Sequence, residues 1–76
     1  MITNLELFKH VIYYMLGNMP ELEMEDFKIM WQALAHKWNI YIPEEKWNDF
    51  LEKINNSEIY NNYVNFTEIF NNYFYN

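Results

Sequence analysis

Val64-Asn65-Phe66-Thr67-Glu68-Ile69-Phe70 is the stretch on which the reading of this chain turns. Asn65 has a short polar side chain suited to accept from the free N–H groups at a helix start. Glu68, three positions on, completes a reciprocal capping pattern. Phe66, Ile69, Phe70, Tyr73 and Phe74 then recur at helical spacing. A helix is therefore predicted from Asn65, as its cap, to the end of the chain. Earlier, Leu22-Glu23-Met24-Glu25-Asp26-Phe27 repeats the aliphatic-to-acid spacing. Leu22 and Val64 are expected just outside their helices.

Working outward, the breakers are few: Gly17, Pro20 and Pro43. A first helix is predicted over 4–16, opened by Thr3 and Glu6 and carrying Leu5, Phe8, Val11, Ile12 and Met15. Gly17-Asn18-Met19-Pro20 is expected to stop it. A second is predicted over 23–37, with Phe27, Met30, Trp31, Leu34 and Trp38 as its apolar stripe. Glu23, Glu25 and Asp26 suit the positive end of its dipole. A third begins with Pro43 at its first position, where a missing N–H does no harm. Trp47, Phe50, Leu51 and Ile54 face inward on it, and Asn55-Asn56-Ser57 ends it.

The 76 residues have the length of one domain, near the low end for a self-sufficient core. Three Trp, seven Tyr and six Phe compensate, because each aromatic buries a large area. Cysteine is absent, so neither a disulfide nor a thiolate metal site is expected. Neither a signal peptide nor a membrane span is visible, and no membrane insertion is expected. The net charge is −6 and all five cations are Lys. Such a surface repels phosphate backbones, so nucleic acid is not an expected partner, and a basic partner is its natural complement.

These segments resemble an EF-hand pair, helix–loop–helix repeated twice, which implies that Leu22 and Val64 pair as a short β-bridge between its two loops. Ile42-Pro43-Glu44-Glu45-Lys46-Trp47 looks like the opening of the third helix of a calmodulin-like lobe, and Phe50, Leu51 and Ile54 continue it. Val64 to Ile69 resembles the exit of the last calmodulin loop, and the helix from Leu22 through Phe27, Trp31 and Leu34 resembles the exit helix of the preceding hand. The chain departs from calmodulin in a longer connector before Pro43 and a longer second loop. It has length for one lobe, and so resembles the single-lobe myosin light chains of class I myosins. The resemblance implies an all-α fold, residues 1–76 forming one lobe with two degenerate loops.

Calcium wants oxygen ligands, anionic ones above all, at alternating loop positions, with a Gly at the sharp turn. Counting back from Asp26 puts Met15, Gly17 and Met19 at the first ligand positions. Counting back from Glu68 puts Ser57, Ile59 and Asn61 there, with Asn62 in place of the Gly. If two residues are inserted, Asn55 and Ser57 supply the first oxygens, and only Glu68 is surely anionic. No metal and no cofactor is expected. His10 and His36 have no ligand cluster around them, and Ser57 with His36 lacks a nucleophile elbow, so no enzyme is expected.

The resemblance implies that the chain binds an IQ motif, a basic amphipathic helix in a myosin heavy-chain neck, without calcium and stiffens it. It implies a groove lined by Phe27, Met30, Trp31, Leu34, Phe50, Ile54, Ile69 and Tyr73. Glu44, Glu45, Asp49, Glu52 and Glu58 are the expected acidic rim. The expected location is the cytoplasm, with the actin–myosin cytoskeleton. A calcium sensor with one weak loop, or a small helical inhibitor or adaptor, are the alternatives.

Overall fold

The structure, a computed structural model, describes residues 1–57 and 62–75. It is all-α, with four helices among the described residues: α1 (Asn4–Asn18), α2 (Met24–Lys37), α3 (Glu44–Asn55) and α4 (Tyr63–Phe74). The chain divides into two compact units, Met1–Tyr41 and Ile42–Asn76, each holding one pair of helices. The division falls in the predicted connector before Pro43. Among the described residues there is no strand or bridge.

In the first unit, Thr3 caps α1, its Oγ1 accepting from the Glu6 N–H at 3.1 Å, as the sequence predicts. The helix does not stop at Gly17. It runs on to Asn18, whose side chain donates to the Tyr14 carbonyl at 2.8 Å, and Gly17 keeps a negative φ. Glycine costs an α-helix only about 1 kcal/mol, which the hydrogen bonds of the two added residues offset. Leu22 is half-buried in the turn that follows, its N–H donating to the Met19 carbonyl at 3.2 Å.

The α2 helix opens at Glu23, whose N–H donates to Asp26 Oδ2 at 3.1 Å. It closes on Asn39, the sole non-glycine with a positive φ (60°) among the described residues. The Ile40 N–H donates to the Ala35 carbonyl at 2.8 Å and the Asn39 N–H to the His36 carbonyl at 3.1 Å. That pair of bonds is a Schellman motif, in which Asn takes the left-handed position usually given to Gly. The closure brings the end of α2 to the start of α1: Phe8 meets Trp38 edge-on at 6.2 Å. The side-chain amide of Asn4 donates to the Trp38 carbonyl at 3.5 Å.

In the second unit, Pro43 is the N-cap of α3 rather than its first residue. Trp47, Phe50, Leu51 and Ile54 are buried, the stripe predicted. The helices α3 and α4 run antiparallel, with Trp47 near the start of one touching Phe74 at the end of the other at 5.3 Å. Phe50 is the hub. Its ring lies within 5.0–6.4 Å of Trp47, Phe66, Phe70, Tyr73 and Phe74, always edge to face. That geometry sets the positive ring edges against negative faces.

The start of α4 corrects the sequence reading. Asn62, not Asn65, is the cap: its Oδ1 accepts from the Asn65 N–H at 3.0 Å. Capping three residues earlier draws Val64 into the first helical turn, where it is 66% exposed. Val64 is therefore no bridge residue, and Glu68 is an exposed residue of α4 rather than the partner of an Asn65 cap.

Candidate functional site

The strongest candidate is an open pocket in the second unit. It has a volume of about 290 Å³ and is lined by Asp49, Glu52, Lys53 and Asn56 of α3 and by Tyr73 of α4. The α3 residues are spaced three, four and seven apart, which puts them on one helix face. Burial of Trp47, Phe50, Leu51 and Ile54 forces that face outward. Tyr73 is half-buried and held by its ring contact with Phe50 at 5.8 Å, so its position follows from the core.

The predicted rim residues Glu44, Glu45, Asp49 and Glu52 are all exposed on α3. Glu45, Asp49 and Glu52 make one outward stripe, four and three residues apart. Lys53 stands beside Asp49 and Glu52 in the pocket wall, so the wall is mixed in sign but acidic on balance. Glu58 lies outside the described residues.

The predicted groove residues divide. Trp31, Phe50 and Ile54 have no exposed surface, Phe27 is 2% exposed and Ile69 is 9%. They are core of this structure, because large aromatics in so short a chain are needed to close it. Met30 is 40% exposed, and Leu34 and Tyr73 are half-buried. Of the expected groove set, Tyr73 alone lines the pocket.

Sequence reasoning missed Lys53 and Asn56. Both lie on the same helix face as Asp49 and Glu52, so helical spacing was the signal available. Tyr73 was expected in the groove, and the packing of α4 on α3 brings it to this polar face instead.

Of the positions first counted for calcium, Met15 and Gly17 lie inside α1 and Met19 is its C-cap. Ser57 donates its hydroxyl to the Lys53 carbonyl at 2.7 Å, closing the end of α3. Ile59 and Asn61 lie outside the described residues. His10 and His36 are exposed, and His36 meets the Tyr41 ring edge-on at 6.3 Å. Among the described residues no helix is long and apolar enough to cross a membrane. No family model, curated protein or solved structure matches this chain.

Proposed function

We propose that this chain is a calcium-independent light chain that binds a basic amphipathic helix, the IQ motif of a class I myosin neck, and stiffens it. The observation that supports this reading is the outward stripe of Glu45, Asp49 and Glu52, two of which share a pocket with Tyr73. Carboxylates beside an aromatic ring suit a target Arg or Lys. The charge pairs with the carboxylates while the aliphatic stem lies along the ring.

Recognition is of one face of the target helix by the acidic stripe of α3 and Tyr73, with the charges setting the encounter and register more than the affinity. A net charge of −6 draws a basic segment in. The role is binding rather than catalysis, in the cytoplasm with the actin–myosin cytoskeleton. A helix that is ordered by its light chain transmits force as a lever where a bare one bends.

Titration calorimetry against a panel of IQ peptides, in calcium and in chelator, tests the reading. One-to-one binding of equal strength in both buffers is expected, weakened in the Asp49→Lys/Glu52→Lys double variant. No binding to any basic IQ helix, or binding only with calcium, overturns it.

A further inference from the structure

The outer face of α2 is apolar where nothing in its own unit requires it. Ile29 is 59% exposed and Met30 40%, and Ala33 is exposed between them. Glu25 and Asp26 stand at one end of this face and His36 and Lys37 at the other, all exposed. The buried residues Phe27, Trp31 and Ala35 occupy the opposite face, so the exposed set is not a frayed edge of the core.

The arrangement along the helix is more specific than an apolar patch. Glu25, Ile29, Ala33 and Lys37 form one row at four-residue spacing, a ridge of the kind that packs between helices. Read forward it is acid, large, small, base. Turned end for end about its midpoint, it matches itself in charge and in shape. Glu25 falls opposite Lys37 of a second copy, and Ile29 opposite Ala33. Asp26 falls near His36 in the same operation. A two-fold interface demands this kind of self-complementarity, since one patch serves both partners.

We infer that the occupant of this face is a second copy of the same chain, with α2 packed antiparallel on α2 about a two-fold axis level with Trp31 along the helix. The large Ile29 fills the space above the small Ala33, which lets the helices approach closely. The charged ends lie about 9 Å either side of the midpoint, at a rise of 1.5 Å per residue. The row on each copy is an i±4 ridge, and two such ridges run parallel at a crossing near −50°, which brings both end pairs together. The patch is small, so the dimer is weak and exchanges readily. This inference does not depend on the light-chain reading, because it uses no residue of the α3–α4 pocket.

Net charge gives the test its edge. Each copy carries −6, so long-range repulsion opposes pairing. Glu25→Lys reduces the net charge to −4 and would tighten any association governed by overall charge. At this interface the same substitution sets an introduced ammonium against Lys37 twice and must loosen it instead. Sedimentation equilibrium at moderate salt, up to millimolar chain, reads the outcome. Glu25→Lys and Lys37→Glu should each weaken the dimer by about ten-fold, through two lost pairs and two like-charge contacts. Combining them should restore it, and Ile29→Glu should abolish it with helicity by circular dichroism unchanged. A chain monomeric at every concentration overturns the inference and leaves the face to another partner. So does tighter association in Glu25→Lys, or a dimer indifferent to Ile29→Glu.

Discussion

The Phe50 ring stands edge-on to Phe74 at 5.0 Å and 84°, with no part of Phe50 reaching solvent. Phe74 in turn stacks on Phe70 at 4.3 Å, their planes within 8°. Four of the five rings named around Phe50 belong to α4, and the fifth, Trp47, to its own helix. Truncation of Phe50 is read in stability before it is read in binding. Phe50→Ala should cost about 3–5 kcal/mol, the range for deleting a buried aromatic. Total stabilities of small domains are about 5–15 kcal/mol, so the second unit should lose its fold or most of it. Urea unfolding followed by circular dichroism checks this. A change under about 1 kcal/mol would mean that the ring cluster is not the core.

The cap of α4 offers a sharper comparison. Asn62→Ala removes the acceptor for the Asn65 N–H and should cost about 1 kcal/mol. Asn65→Ala leaves that acceptor in place and should cost less than half as much. Thermal melts of the two variants side by side rank the caps. The reverse order would restore the helix start read from the sequence.

Val64→Asp separates the same two pictures by burial. In a bridge between loops, an unpaired carboxylate would unfold the chain. In the exposed first turn of α4 it should change stability by no more than about 0.5 kcal/mol, the positive helix end tolerating the charge. The melting temperature of the single variant decides.

Two backbone positions give stability predictions of opposite kind. Gly17 lies inside α1 with negative φ, and a Cβ built there meets nothing within 4 Å. Gly17→Ala should therefore stabilise by about 0.5–1 kcal/mol. Asn39 holds φ 60°, where glycine is freer, so Asn39→Gly should be neutral or better, and a β-branched Asn39→Val should destabilise. Denaturation midpoints supply both signs. If Gly17→Ala destabilises instead, Gly17 marks a turn rather than a helix.

On the pocket, Asp49→Lys/Glu52→Lys should weaken an IQ peptide by about ten-fold and flatten its salt dependence, at near-unchanged stability. Tyr73→Ala should weaken binding at low and high salt alike. Association and dissociation rates at two ionic strengths distinguish the electrostatic from the stacking share.

The helices were legible in the sequence wherever apolar spacing was strong. The α3 stripe was read residue for residue, because polar residues fill all its other positions. Elsewhere the signal was ambiguous. Lys9 is buried at 7% exposure, its ammonium 3.2 Å from Glu6, although its charge reads as surface. A lysine buries its stem against apolar neighbours while its head keeps a partner, which residue type alone does not show. Leu16 and Ala35 join the core from beside the predicted stripes. The α4 cap was read at Asn65, because Glu68 three residues on imitates a capping box, whereas the chain uses Asn62. Of the candidate site, Glu45, Asp49 and Glu52 were expected at an acidic rim together with Glu44 and Glu58, though their four- and three-residue spacing was not read as a stripe. The pocket was not legible, because its fifth wall is a residue brought in by tertiary packing.

The tryptophans fall unevenly across the two units. Trp31 and Trp38 belong to Met1–Tyr41, and Trp47, buried against Phe50 and Phe74, belongs to Ile42–Asn76. Each half of the chain thus carries its own native fluorophore. With Trp31 and Trp38 replaced by Phe, the emission of Trp47 reports the α3–α4 pair alone. With Trp47 replaced, the remaining two report α1–α2. The protein is its own reporter of whether its halves melt as one cooperative body or in succession.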